Sequence, residues 1–283
     1  MTSMRTNRRH LIQSTLGLSA VVGFGNLSAA LAAEASSVAA LKAAGLDPLE
    51  TYARMFASTT KGAEVAWWFE GALPRDIEDV GPVDTIQEET VRIHRTESYG
   101  SGKLEFIWKE VGVFRDIRTG ENPPERFDPV SGATSKAGTL LGGGGHAAKV
   151  TITKSGDALI PALETGGNTV GAQGIKATVE GNRVCFTHFE DKTRAAPQGG
   201  MAPTNRTVFK IYANIDDLKG KPPSVAASGF YGVKAMATGK VFVNGLMHKA
   251  GMDEKLNPIA YARLKAAFPT FFKGDRFAPD WES

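Results

Sequence analysis

The sequence predicts an all-β protein, with an antiparallel sheet closed or strongly curved into a barrel and helices only near its ends. Three observations predict it. Apolar and polar residues alternate with period two over many short stretches of the chain. Glycine-containing turns separate these stretches at regular spacing. Helical periodicity shows only at residues 39–59 and 258–268. Closure hides strand edges, and a barrel of about eight strands can hold one small ligand.

The front of the chain reads as an export signal. Residues 6–13 are TNRRHLIQ, with Arg8 and Arg9 adjacent; a weakly apolar run follows over 16–31, and Ala30-Leu31-Ala32 is a small-residue exit. The paired arginines make the signal Tat-type. Residues 1–33 are expected to be this signal, and residues 34–283 a single exported, periplasmic domain. A run of about 16 weakly hydrophobic residues is too short to span a bilayer, so stable membrane insertion is not expected.

Charge narrows the partners. The chain carries 33 Lys+Arg and 30 Asp+Glu, and three of the basic residues (Arg5, Arg8, Arg9) lie in the signal. The remainder is neutral, which leaves no electrostatic footprint for nucleic acid. A homo-oligomer is compatible with such a surface. Cys185 is the only cysteine and cannot form an internal disulfide; within the alternating RVCFT of residues 183–187 it reads as a small buried apolar residue.

The elements follow in order. Asp47-Pro48 starts a helix as N-cap and first position. Residues 63–73 form a short aromatic strand, which sends Trp67 and Trp68 to opposite faces. Residues 85–96 alternate, with Val91 and Ile93 on one face and Thr90, Arg92 and His94 on the other. A turn at residues 99–102 leads into the strand 103–114, where Leu104, Phe106 and Trp108 share a face and Gly112 marks a bulge or bend. Thr119-Gly120-Glu121 closes that strand, and the glycine-rich loop 131–146 ends in His146. Further strands are expected at 147–153, 174–180, 182–189 and 207–215, with a polar loop over 191–203, then a strand pair over 228–243 broken near Thr238-Gly239. The aromatic tail 271–281 packs across the body.

Several chemistries find no motif. His94, His146, His188 and His248 fall on different elements, without H-E-x-x-H or C-x-x-C spacing. His188-Phe189-Glu190 resembles half of a deaminase motif, but the C-x-x-C half is absent. No G-x-S-x-G elbow occurs, no G-x-G-x-x-G follows a strand, and the four glycines before His146 lack the lysine of a phosphate-binding loop. Neither a metal nor a cofactor is therefore expected.

What stands out is a set of polar side chains on otherwise apolar strands: Arg92, His94, Glu105, His188, Lys210, Tyr212, Tyr231 and Lys234. On a sandwich these form a solvated outer face; in a barrel one such face lines the cavity.

Residues 110–122, EVGVFRDIRTGEN, together with residues 209–218 and the closing Phe268-Pro269 and Ala278-Pro279, carry a resemblance to a bacterial family known by its placeholder as the DUF1838 domain. It covers roughly residues 47–280. The chain departs from the family pattern at Asn122-Pro123-Pro124, where the family has a tryptophan before Asn-Pro. The resemblance implies a β-rich, calycin-like or lipocalin-like barrel, often exported, and no settled reaction.

Two functions are expected. The first is an exported, cofactor-independent lyase, isomerase or dehydratase acting by acid–base chemistry on a hydrophobic, aromatic small molecule. In it His188 or His94 serves as base or acid, Tyr212 as proton donor, and Arg92 or Lys234 as anion stabiliser. Trp67, Trp68, Trp108, Phe186 and Tyr231 line the cavity, joined by Arg126, Asp128 and His146 if the glycine-rich loop folds over its mouth. The alternative is a lipocalin-like carrier that binds an apolar ligand in the same cavity without catalysis.

Overall fold

In the computed structural model the described residues are 39–77, 81–117, 119–121, 126–127, 134–135, 139–142, 148–156, 158–164, 168–195, 201–235, 240–252, 258–273 and 276–277. Toward one end of the strands only the backbone is described. Residues 1–33, expected as an export signal, and Asp128 and His146 lie outside the described residues.

The alternating stretches form ten long or middle-sized antiparallel strands: β1 (Glu64–Ile77), β2 (Gly81–Gly100), β3 (Lys103–Asp116), β7 (Ala148–Ser155), β8 (Ala158–Glu164), β9 (Asn168–Glu180), β10 (Arg183–Ala195), β11 (Met201–Asn214), β12 (Ala227–Ala235) and β13 (Lys240–Ala250). Each pairs with its neighbour in the chain, and β13 returns to pair with β1, so the sheet closes into a ten-stranded barrel. Short strands β4 (Arg126–Phe127), β5 (Thr134–Ser135) and β6 (Thr139–Gly142) lie between β3 and β7 in sequence, and β6 pairs with the far half of β3.

Turn chemistry matches the expected places. Gly100, Ser101 and Gly102 all take positive φ at the β2–β3 hairpin. Beyond β3, Gly120 takes φ +73, and the Asp116 N–H donates to Glu121 O at 2.7 Å.

Several expectations need correction. The barrel has ten strands, because β8 carries a proline (Pro161) inside an ALIPALE run that masks its alternation. The stretch 191–203 is mostly strand: β10 runs to Ala195 and β11 begins at Met201, since ladder pairing outweighs their polar composition. Gly112 carries no bulge in its pairing with β2, where it sits opposite Thr90; the register shifts instead between Thr96 and Ser98. Helices are also not confined to the ends, because a short helix, Ile215–Lys219, follows β11.

Helix α1 (Pro48–Phe56) starts where the Asp47 carboxylate accepts the Leu49 and Glu50 N–H groups at 2.9 and 3.0 Å. Every residue of it except Glu50 is buried, because it is inserted into one end of the barrel. There Tyr52, Met55 and Phe56 join inward-facing Leu104, Ile152, Val184, Phe186 and Ile211 in one apolar cluster. With Ile215–Lys219 as α2, the C-terminal helices are α3 (Pro258–Ala267) and α4 (Pro269–Lys273). They lie outside the barrel and build a second cluster: Ala260, Leu264 and Phe271 cover Ala66, Trp68, Val91, Ile93, Val111 and Val113.

That outer cover decides the site. With Val91 and Ile93 buried under α3, the alternate residues of β2, which are polar, must face the barrel interior. Arg263 of α3 fastens the arrangement, donating to both oxygens of the buried Glu89 carboxylate at 2.7 and 2.5 Å. Gly245 of β13 serves the interior too: a Cβ there would stand 2.4 Å from Phe69 Cε2, so its absence lets the Phe69 ring lie across the strand.

Candidate functional site

Above α1 the interior holds two contiguous pockets. The first, about 450 Å³ with its open mouth included, is lined by Phe56, Trp67, Phe69, Glu88, Thr90, Arg92, His94, Glu110, Phe209, Tyr231 and Met247. The second, about 420 Å³ counted the same way, adds Phe106, Trp108, His188 and Thr207 around a shared Phe56, Arg92, His94, Phe209 and Tyr231. The part enclosed from solvent is much smaller, about 40 Å³ in the first pocket and 30 Å³ in the second, so a ring-sized ligand would also occupy the open mouth.

Phe56 is the floor. As the last residue of α1 it reaches the barrel axis, with ring centroids of Phe209, Phe106 and His94 at 5.4, 5.6 and 4.6 Å. The carboxyl end of α1 is held by three side chains of the wall. Trp67 Nε1 donates to Phe56 O at 2.9 Å, and Lys249 Nζ donates to the Arg54 and Ala57 carbonyls at 2.6 Å each. His94 Nδ1 lies 3.0 Å from Phe56 O. A carbonyl oxygen only accepts, so Nδ1 carries the proton and Nε2 is left as a lone-pair acceptor. Nε2 is buried and has no hydrogen-bond partner among the described residues.

Electrostatics fix the state of these groups. Burial, then the Arg92 guanidinium and Lys249, push the His94 imidazolium down to about 3, against a smaller opposing effect of the Phe56 carbonyl. The ring is neutral at physiological pH: a good acceptor, and a weak proton abstractor. Burial brings the Lys249 ammonium down to about 7. Its two carbonyl acceptors sit at the negative end of α1 and pull the other way. Arg92 pairs through Nε with the Glu110 carboxylate, and its guanidinium stacks 4.4 Å from the Trp108 ring. The His188 ring packs on Phe209 at 4.2 Å, and the buried Thr207 hydroxyl has no partner among the described residues.

Of the sequence-derived candidates, the structure gathers His94, Arg92, His188, Trp67, Trp108 and Tyr231 around these pockets. Phe186 also faces inward, but beneath them, edge-on to Tyr52 at 5.3 Å. Trp68 does not line the cavity: it points outward under α3, with its Nε1 donating to Gly251 O. Tyr212 is likewise outside, because Phe209, Ile211 and Ala213 take the inward positions of β11. It stands beside Cys185, and burial together with the thiol raises its hydroxyl above the usual range. It cannot protonate a ligand in the lumen. Lys234 and Arg126 lie in β12 and β4, where only the backbone is described.

Sequence reasoning missed Phe56, Glu88, Glu110, Thr207, Phe209, Met247 and Lys249. Glu88 continues the alternation of Thr90, Arg92 and His94 and was findable on that ground. Phe56 gave no signal, since nothing in a helix sequence says it will enter a barrel.

On the outer wall an open groove of about 930 Å³ runs past Tyr212, Asp217, Ser228 and His248, with Lys249 at its edge. It is the larger and more open space, and none of the buried polar atoms without a partner among the described residues belongs to it. The lumen is the better site. Among the described residues no three His, Cys, Asp or Glu side chains are grouped to hold a metal ion, and no helix is long and apolar enough to cross a membrane.

The chain matches no protein-family model, and no curated protein matches it.

Proposed function

We propose that this protein is a small-molecule binding protein that receives an apolar or aromatic ligand in the barrel lumen above α1. One observation carries the reading: an aromatic-lined pocket with a buried acceptor, His94 Nε2, that has no hydrogen-bond partner among the described residues. Pockets of this kind bind by enclosed apolar area and a few placed polar groups. Export through a Tat-type signal to the periplasm, and membership of the DUF1838 family, belong to the same proposal and rest on the sequence features described above.

Fluorescence titration tests it, because Trp67 and Trp108 are part of the lining. Small aromatic molecules should change the emission saturably at one equivalent. Thr90→Phe, which fills the first pocket, should abolish the response while leaving a cooperative unfolding transition. A response untouched by Thr90→Phe would place the ligand elsewhere and end this reading.

A second reading is acid–base turnover of the bound molecule, as a lyase, isomerase or dehydratase. The convergence of His94, His188 and Arg92 on one pocket favours it. The neutral state of His94 weighs against it as a proton abstractor. Full turnover of an identified substrate by both His94→Gln and His188→Gln would remove both histidines from any mechanism.

A further inference from the structure

We infer that the ligand is a neutral alcohol or phenol that enters hydroxyl first, donating its O–H to His94 Nε2. This rests on the lumen-binding reading above and names the chemistry of its ligand.

At the second pocket, His94 Nε2 and Thr207 Oγ1 are buried polar atoms without a protein partner among the described residues. His94 is 1% exposed and Thr207 2% exposed. A buried acceptor left unmade is costly, so a site that presents one selects a molecule able to satisfy it. The imidazole cannot turn to suit another ligand, because its Nδ1–H is committed to Phe56 O. Nε2 thus asks for a donor. Thr207, a hydroxyl that donates or accepts, is the complementary group on the same pocket.

A hydroxyl suits both groups chemically, since it can donate to Nε2 and can accept from a threonine hydroxyl. A carboxylate does not. It has no proton to give, and the one guanidinium of the pocket already pairs with Glu110, while Glu88 adds a second carboxyl group to the first pocket. An ammonium would donate, but among the described residues that line the second pocket there is no carboxylate, so its charge would be buried there without a partner. The rings of Phe56, Phe106, Trp108 and Phe209 around this end suit an apolar body behind the hydroxyl.

Calorimetric titration of the whole protein with four matched probes tests the inference: para-cresol, its methyl ether, para-toluate and para-methylbenzylamine. Para-cresol should bind about tenfold or more tightly than its ether, with the two ions weaker than either. His94→Leu should bring the cresol-to-ether ratio close to one. Should that variant fail to fold, Thr207→Val, which keeps shape and removes the hydroxyl, should lower the same ratio. Equal affinity of cresol and ether, or tightest binding by either ion, would overturn the hydroxyl assignment and leave lumen binding standing. Failure of all four to bind would overturn lumen binding itself.

Discussion

The two halves of the barrel wall are built in opposite senses. In β10 and β11 the inward positions are apolar (Val184, Phe186, Phe209, Ile211), with His188 and Thr207 as the exceptions at the pocket, while Lys210 and Tyr212 face outward. In β2 the inward positions are Glu88, Thr90, Arg92 and His94, and the apolar pair Val91 and Ile93 faces out. A strand with a polar inner face is tolerable only if its apolar face is covered from outside, and α3 and α4 supply that cover. The lesson is that an external helix can turn a strand's polar residues into a closed barrel. A functional lining is then obtained without disturbing the core formed by the opposite wall.

The contrast can be broken at its centre or at its cover. Phe56→Ala removes the ring on which both walls meet and should cost about 4 kcal/mol in equilibrium urea unfolding, since cavities left by buried aromatics collapse poorly. Ligand binding should fall with it, because the floor of the pocket is lost. Leu264→Ala, at the fully buried contact of α3 with the outer face, should cost about 3 kcal/mol and leave the binding constant of a lumen ligand nearly unchanged. A large loss of affinity in that variant would show that the cover sets the geometry of the lining and does more than anchor the strand.

Changing pH should probe the two buried bases of the inner face. The folded-state pKa of His94 is lowered to about 3 from an ordinary 6.5, so the unfolded chain binds more protons between these values and stability rises with pH across that window. Lys249, lowered from 10.5 to about 7, adds a second rise between those two values. Unfolding midpoints measured from pH 3 to 10 should show both rises; His94→Leu should reduce the lower, to which His248 and the carboxylate of Glu105 also contribute, and Lys249→Met should remove the upper. A flat profile in the parent protein would contradict the burial assigned to both groups. The smallest effect is expected outside the β10–β11 wall: Tyr212→Phe should change stability by no more than about 0.5 kcal/mol and leave lumen binding unaltered. A clear loss of binding there would return Tyr212 to the site.

Much of this was legible in the residues. Period-two alternation separated Val91 and Ile93 from Arg92 and His94, split Trp67 from Trp68, and marked the barrel class; Asp47-Pro48 located the start of α1. Those features are local, written in side-chain periodicity and turn chemistry. What alternation cannot state is which face is inside. Apolar content alone would have put Val91 and Ile93 in the lumen, and the helix at residues 258–268, visible in the sequence, gave no sign of what it covers. The choice of Trp67 over Trp68 and the exclusion of Tyr212 from the lumen depend on contacts between segments more than a hundred residues apart. The His94 tautomer is fixed by the end of a helix 38 residues earlier in the chain. The residues alone marked most of the strands, their two faces and the cap of α1. The tertiary structure decided which face became the cavity, because burial is settled by whichever apolar surface finds a partner, and that partner was α3.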